Sequence, residues 1–136
     1  MSLKISLNYS PNFSIKRRIR KNIKFIIIHY TGISNENKAI DKLTDIKSNV
    51  SCHYFIKKNG QVILMVPDFY AAWHAGISNW KNLKSLNKLS IGIEIQNKGH
   101  KNGYDKFSRE QIKSTIFLCR KLLKKYKIQN KNVLAH

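Results

Sequence analysis

The sequence predicts a mixed α/β domain, a central β-sheet flanked by helices. Three observations carry this expectation. Two apolar runs of strand length, Phe25 to Ile28 and the isoleucine-rich Ser90 to Gln96, lie far apart in the chain. Two segments place apolar residues at helical period, and an Asn59-Gly60 dipeptide divides two further strand-like runs. Runs as continuously apolar as the first suit central strands covered on both faces. At 136 residues the chain is one domain, long enough to bury a real core.

Taken in order, residues 1–22 read as an irregular lead-in, with Asn8, Pro11 and Asn12 as turn formers. Residues 24–30 are a buried strand. Asn35 to Lys47 is a helix with Ala39, Ile40, Leu43 and Ile46 on one face. Ser51 to Lys57 and Gln61 to Val66 form a hairpin whose Asn59 and Gly60 both tolerate positive φ. Pro67 to Leu89 is a long aromatic and polar connection, a length that within a compact domain points to function. Ser90 to Gln96 returns to strand. Residues 108–126 are a helix opened by a Ser108/Gln111 capping box, with Ile112, Ile116, Cys119, Leu123 and Tyr126 as its apolar stripe. Asn132 to Ala135 is the last strand.

Composition narrows the class. The hydrophobic share of 42% fits a globular protein and no apolar run reaches the length of a membrane span. The N-terminus has neither a signal core nor a lipobox cysteine, so a cytoplasmic setting is expected, or a periplasmic one if an upstream segment is missing. Cys52 and Cys119 form no spacing motif and read as reduced, buried small residues. Lys and Arg number 26 against 7 Asp and Glu, a net charge of +19. A polyanionic partner is one reading of this excess. Compositional drift is the other, and it is favoured, because lysine greatly outnumbers arginine while Asn and Ile are also abundant. No nucleic-acid motif is recognisable and no nucleic-acid partner is expected; the run Lys16 to Lys21 is the best candidate for an anion contact.

Three features can carry chemistry. His29 ends the Phe25–Ile28 run and His136 ends Val133-Leu134-Ala135. Two histidines at the ends of buried strands suggest half of a zinc site whose remainder lies beyond the C-terminus. Tyr30-Thr31-Gly32 then leaves the strand for a polar loop at a sheet edge, where open α/β sheets bind ligands. Glu94 is held among Ile91, Ile93 and Ile95; alternation turns it to the opposite face with Gly92 and Gln96. It reads either as one half of a salt bridge to a lysine or as a general base with a pKa raised by burial. Gly92 leaves space beside it for substrate or backbone. Ala72-Trp73-His74-Ala75-Gly76-Ile77-Ser78-Asn79-Trp80 suits a sugar or peptide pocket, or else a loop pinned by aromatic packing. His53, inside a hairpin strand, reads as structural, and His100 as a solvated loop residue.

Five segments in this order, Ile26 to Gly32, Ser51 to Ile56 before the Asn-Gly turn, Ala72 to Gly76, Ser90 to Ile95 and Val133 to His136, resemble the zinc N-acetylmuramoyl-L-alanine amidases of the AmpD and AmiD type. The likeness covers nearly the whole chain. Asn8 to Phe13, and Asn97 after the glutamate strand, resemble the AmiD branch. The resemblance implies a single domain of the peptidoglycan-recognition and amidase type over 23–136, with 1–22 as the lead-in. It implies zinc held by His29 and His136, with Glu94 catalytic. Tyr30, Trp73, His74 and Asn97 would contact the substrate. The implied reaction cleaves the amide between N-acetylmuramic acid and L-alanine in peptidoglycan or its fragments, the muropeptides. The family's third ligand, an aspartate or cysteine, and an oxyanion-stabilising lysine follow the second histidine by a short loop. The expectation is therefore that these 136 residues lack both, as a fragment or a decayed copy, and are inactive or nearly so. The alternative function is a non-catalytic muropeptide-binding domain. A basic nucleic-acid-binding protein is the third reading.

Overall fold

The computed structural model describes residues 3–75, 79–80, 83–84, 86–99, 103 and 105–135. Ten strands and two α-helices are described: β1 Ile5–Leu7, β2 Phe13–Ser14, β3 Phe25–Tyr30, α1 Glu36–Thr44, β4 Tyr54–Ile56, β5 Val62–Leu64, β6 Ala71–Ala72, β7 Asn79–Trp80, β8 Leu83–Lys84, β9 Ser90–Ile95, α2 Arg109–Tyr126 and β10 Val133–Ala135. Six strands make the central sheet in the order β1-β5-β4-β9-β3-β10. Every neighbouring pair is parallel except the β4–β5 hairpin. The expected mixed α/β architecture is the one observed. Among the described residues no helix is long and apolar enough to cross a membrane.

The lead-in read as irregular contains β1, which extends the sheet edge by pairing Ile5–Leu7 with Val62–Leu64. It also contains Asn12, whose amide donates to Asp45 O (2.8 Å) and Val50 O (2.9 Å) and so ties the lead-in to the segment after α1.

Alternation along β9 divides the core. Ile91, Ile93 and Ile95 join Ile26, Tyr54, Ile56, Leu118, Leu122 and Tyr126 beneath α2. Ile91 and Ile93 are fully buried, each stabilising the fold by roughly 1.5–3 kcal/mol relative to exposure. On the opposite face Phe55, Ile63 and Met65 pack against Ala39 and Leu43 of α1, and Phe25 and Ile27 against Leu86. Cys52 and Cys119 are free and buried, as expected.

Three local expectations are corrected. The α1 face loses Ile46, which is 67% exposed. The helix stops at Thr44, whose hydroxyl bonds Ile40 O, and Asp45 turns extended (ψ 122°), so helical phase no longer governs residue 46. In α2 the capping box is present: Ser108 Oγ accepts from Gln111 N at 3.1 Å while Gln111 Oε1 accepts from Ser108 N at 3.0 Å. Of the expected stripe, Cys119 and Tyr126 are buried and Leu123 packs against the core, but its first two members turn away. Ile112 (50% exposed) and Ile116 (48%) face outward. Gln111, Leu118, Cys119, Leu122 and Tyr126 face inward. Gln111 sets this phase, because its Nε2 donates to Gln96 O at 2.8 Å and draws that side of the helix onto the sheet. In the hairpin turn only Gly60 has positive φ (+88°). Gly60 N donates to Lys57 O at 2.8 Å, a turn closed by a left-handed glycine instead of two positive-φ residues. A methyl at Gly60 would meet the Glu110 backbone at 2.8 Å, so the same glycine lets the start of α2 approach.

Candidate active site

Parallel pairing of β3 with β9 sets His29 opposite Glu94. Directly paired residues of adjacent strands project to one face, so an imidazole and a carboxylate share the sheet surface away from α2. Both line a cavity of about 690 Å³ with Tyr30, Lys42, Trp73, His74 and Lys98.

Burial pushes the Glu94 pKa up to about 7, with the nearby Lys42 charge opposing the rise. Among the described residues no group hydrogen-bonds its carboxylate, and Lys42 is the charge that offsets the lost hydration. The carboxylate is thus poised to take up and release protons near neutrality.

Three imidazoles meet beneath this surface. The His29 and His74 ring centroids are 5.1 Å apart, those of His53 and His74 5.9 Å. His29 Nε2 lies 2.9 Å from His74 Nδ1, and His74 Nε2 lies 3.0 Å from Ser90 Oγ. Asn87 Oδ1 accepts from His74 N (3.1 Å) and Ala75 N (2.8 Å), which fixes the loop that carries the ring. The space expected beside Gly92 for substrate or backbone is filled by this ring. A Cβ on Gly92 would sit 2.3 Å from His74 Cγ. His53 is structural, as read from its place in the hairpin. It is fully buried, its Nδ1 accepts from Gly92 N at 3.0 Å, and its Nε2 therefore donates to Tyr70 O at 2.8 Å. Arg18 Nη2, 3.1 Å from that same Nε2, meets a nitrogen with no lone pair to offer. Burial first, and then the Arg18 charge, lower the His53 pKa to about 3.

Trp73 reaches the cavity from β6. Its backbone N donates to Ser51 Oγ (2.9 Å), and its indole Nε1 to Ser14 Oγ (3.2 Å). Ser51 Oγ in turn donates to Asn12 O (2.5 Å), so the lead-in anchors the tryptophan. Tyr30 is 41% exposed at the rim. Asn97 does not line the cavity. It is buried, its Nδ2 donates to Asp105 O and its Oδ1 accepts from Gly99 N, each at 2.9 Å, so it shapes the turn that brings Lys98 and Gly99 to the rim.

His136 and His100 lie outside the described residues, as do Gly76, Ile77 and Ser78 of the aromatic loop. The register of β10 is described as far as Ala135, opposite Ile28. Lys42 and Lys98 line the cavity without having been singled out from the sequence. Lys42 precedes the buried Leu43 on α1, and among so many lysines no local signal marks it.

The donor chemistry suits zinc in part: an imidazole beside an oxygen base, in an open cavity. Among the described residues no group of three His, Cys, Asp or Glu could hold a metal ion. A complete ligand set would therefore draw on residues outside them.

The chain is 36% identical to the N-acetylmuramoyl-L-alanine amidase AmiD of Escherichia coli strain K12 over 126 residues, 84% of this chain and 45% of AmiD. It thus spans about half the length of that relative. The structure of E. coli AmiD in complex with the substrate anhydro-N-acetylmuramic acid-L-Ala-D-γ-Glu-L-Lys superposes with a TM-score of 0.75 at 35% identity, over 85% of this chain and 48% of that one. AmpDh3 from Pseudomonas aeruginosa, in complex with anhydromuramic pentapeptide, gives a TM-score of 0.77 at 26% identity, over 93% of this chain and 55% of that one. Residues 19–136 match the family described as Amidase_2, N-acetylmuramoyl-L-alanine amidase. Six parallel or hairpin-paired strands, His29 against Glu94 over one cavity, and a match that runs through both place the chain in the N-acetylmuramoyl-L-alanine amidase family.

Proposed function

We propose that this domain hydrolyses the amide between the lactyl group of N-acetylmuramic acid and the L-alanine of the stem peptide, acting on peptidoglycan fragments. The observation that carries the reading is the pairing of His29 with Glu94 over a cavity of about 690 Å³. The substrate and ligand named in the AmiD and AmpDh3 structures support the choice of bond.

His29 and His136 would hold zinc. The support for His136 is the β10 register, in which Ala135 stands opposite Ile28, one step before His29. Zinc, when bound, polarises the scissile carbonyl and lowers the pKa of water. Glu94 takes a proton from the attacking water as its oxygen bonds the carbonyl carbon. It then passes that proton to the alanine nitrogen as the carbon–nitrogen bond breaks, leaving a lactyl carboxylate and a free peptide amine. A carboxylate with its pKa near 7 serves both steps. Trp73 and Tyr30 offer ring faces to the sugar or stem peptide, and Asn97 acts on the rim through the Lys98–Gly99 turn. Two buried free thiols support a cytoplasmic setting.

Free stem peptide measured by mass spectrometry tests the reading, on this chain and on one extended past His136. Glu94→Gln should slow release of the peptide by roughly 10²–10⁴-fold while leaving zinc content unchanged. Full turnover by Glu94→Gln would remove the carboxylate from the mechanism. Muropeptide binding without turnover in either parent chain would leave a muropeptide-binding domain in its place.

A further inference from the structure

We propose that His74 is a positioning residue for His29, and that Ser90 and the Leu86 carbonyl set the ring form in which it works. The inference rests on the reading of His29 as a metal ligand for its purpose, but not for its geometry.

The chain of donors has one direction. Ser90 Oγ lies 2.6 Å from Leu86 O and 3.0 Å from His74 Nε2. A carbonyl only accepts, so the single serine hydrogen goes to Leu86 O. Ser90 then has only a lone pair for His74, and His74 Nε2 must carry the proton. In the neutral ring this leaves Nδ1 bare. That bare nitrogen lies 2.9 Å from His29 Nε2, so His29 Nε2 carries the proton and His29 Nδ1 keeps the lone pair. A neutral imidazole binds a metal through its bare nitrogen and orients itself through the protonated one. The buried end of the chain is Leu86 O, in the turn before β9, where Ser90 is itself fully buried.

The fold invests specific residues in this arrangement. Gly92 is the place on β9 where the His74 ring lies, and a Cβ there would come within 2.3–2.7 Å of three of its ring atoms. Asn87 grips the backbone on both sides of the ring through His74 N and Ala75 N. Neither feature is needed by a loop histidine that only touches substrate. His74 also lines the cavity, so it retains a face for the groove.

Long-range ¹H–¹⁵N NMR of the metal-free 136-residue chain reads imidazole tautomers directly, with five histidines to assign. The expected spectrum has both His74 and His29 as Nε2–H forms. Ser90→Ala should mix the His74 forms and, through it, those of His29. His74→Leu should release the His29 preference and weaken zinc binding by about 10–100-fold. His74→Asn, whose side-chain oxygen can stand where Nδ1 stands, should restore both toward the parent values. A His29 Nδ1–H form in the parent overturns the proposal, as does an equal effect of Leu and Asn. Should His74→Leu fail to fold, Ser90→Ala alone decides, since an unchanged His29 form there also overturns it. The tautomers are read without metal or substrate. Expected tautomers together with no amide hydrolysis by any chain would therefore overturn the amidase reading and leave this one standing.

Discussion

Asp68 and Glu94 are two carboxylates drawn into the protein on opposite faces of the sheet, and they are treated in opposite ways. Asp68 Oδ1 accepts from Tyr54 OH at 2.7 Å and Oδ2 accepts from Tyr126 OH, with Lys125 Nζ 3.9 Å away. These partners join the end of the hairpin to the last turn of α2. The Glu94 carboxylate has burial, one lysine charge and no hydrogen bond from a described residue. A carboxylate with its acceptors filled is part of the scaffold. One that is partly buried without such partners carries a desolvation cost and a raised pKa.

The comparison breaks most visibly at Asp68. Asp68→Ala leaves two buried phenol hydroxyls without an acceptor, each costing about 1–3 kcal/mol, so the urea midpoint should fall by the equivalent of roughly 2–6 kcal/mol. The activity of the molecules that remain folded should change little. A loss of turnover with unaltered stability would make Asp68 the working carboxylate.

Glu94→Gln should move stability the other way. The folded pKa of about 7 lies above the ordinary 4.5, so between these values the folded state holds more protons than the unfolded one. Stability therefore falls as pH rises through that window and is flat above it. In the metal-free protein the substitution should stabilise at pH 8 by at most about 3 kcal/mol and have no effect of this origin at pH 4. Thermal unfolding at the two pH values checks it, and a gain of equal size at both would assign the effect to packing.

The smallest effect sharpens the account of Glu94 itself. Lys42 is the charge that opposes the rise in its pKa. Lys42→Met should move the carboxyl titration, followed by ¹³C NMR in the metal-free protein, to higher pH. A downward movement would mean that Lys42 is not the charge that holds the carboxyl pKa down.

Both carboxylates were present in the sequence, but only Glu94 was legible as chemistry. An acid inside an isoleucine strand has no local reason to be there, and strand alternation alone turns it away from the core. The same logic made His29 legible. Asp68 sits in the connection after the hairpin, and its partners Tyr54 and Tyr126 meet it only through the packing of α2 on the sheet. The strands, the hairpin and the Ser108 cap were readable because each is encoded within a few residues. The α2 stripe was read correctly at Cys119, Leu123 and Tyr126 but not at its first two members. Ile112 and Ile116 looked like core by hydropathy, whereas the burial of Gln111 is decided by Gln96 O across the fold. His74 posed the same difficulty. Its neighbours pointed to a groove, while Gly92 and Ser90, which hold it, belong to another strand.

The strand order has a consequence for biosynthesis. In the sheet β3 lies between β9 and β10, and both of its neighbours are translated after it. When residues up to Leu64 have left the ribosome, β4 and β5 can close their hairpin and α1 can form. Phe25-Ile26-Ile27-Ile28 still has no strand to pair with. At roughly 5–20 residues per second, the delay before Ser90–Ile95 arrives is on the order of seconds. The strand bearing His29 thus spends the longest time as an unpaired apolar ribbon, and the slow parallel closure that ends this interval also brings His29 opposite Glu94. Nascent-chain protection and the pairing of His29 with Glu94 are one event.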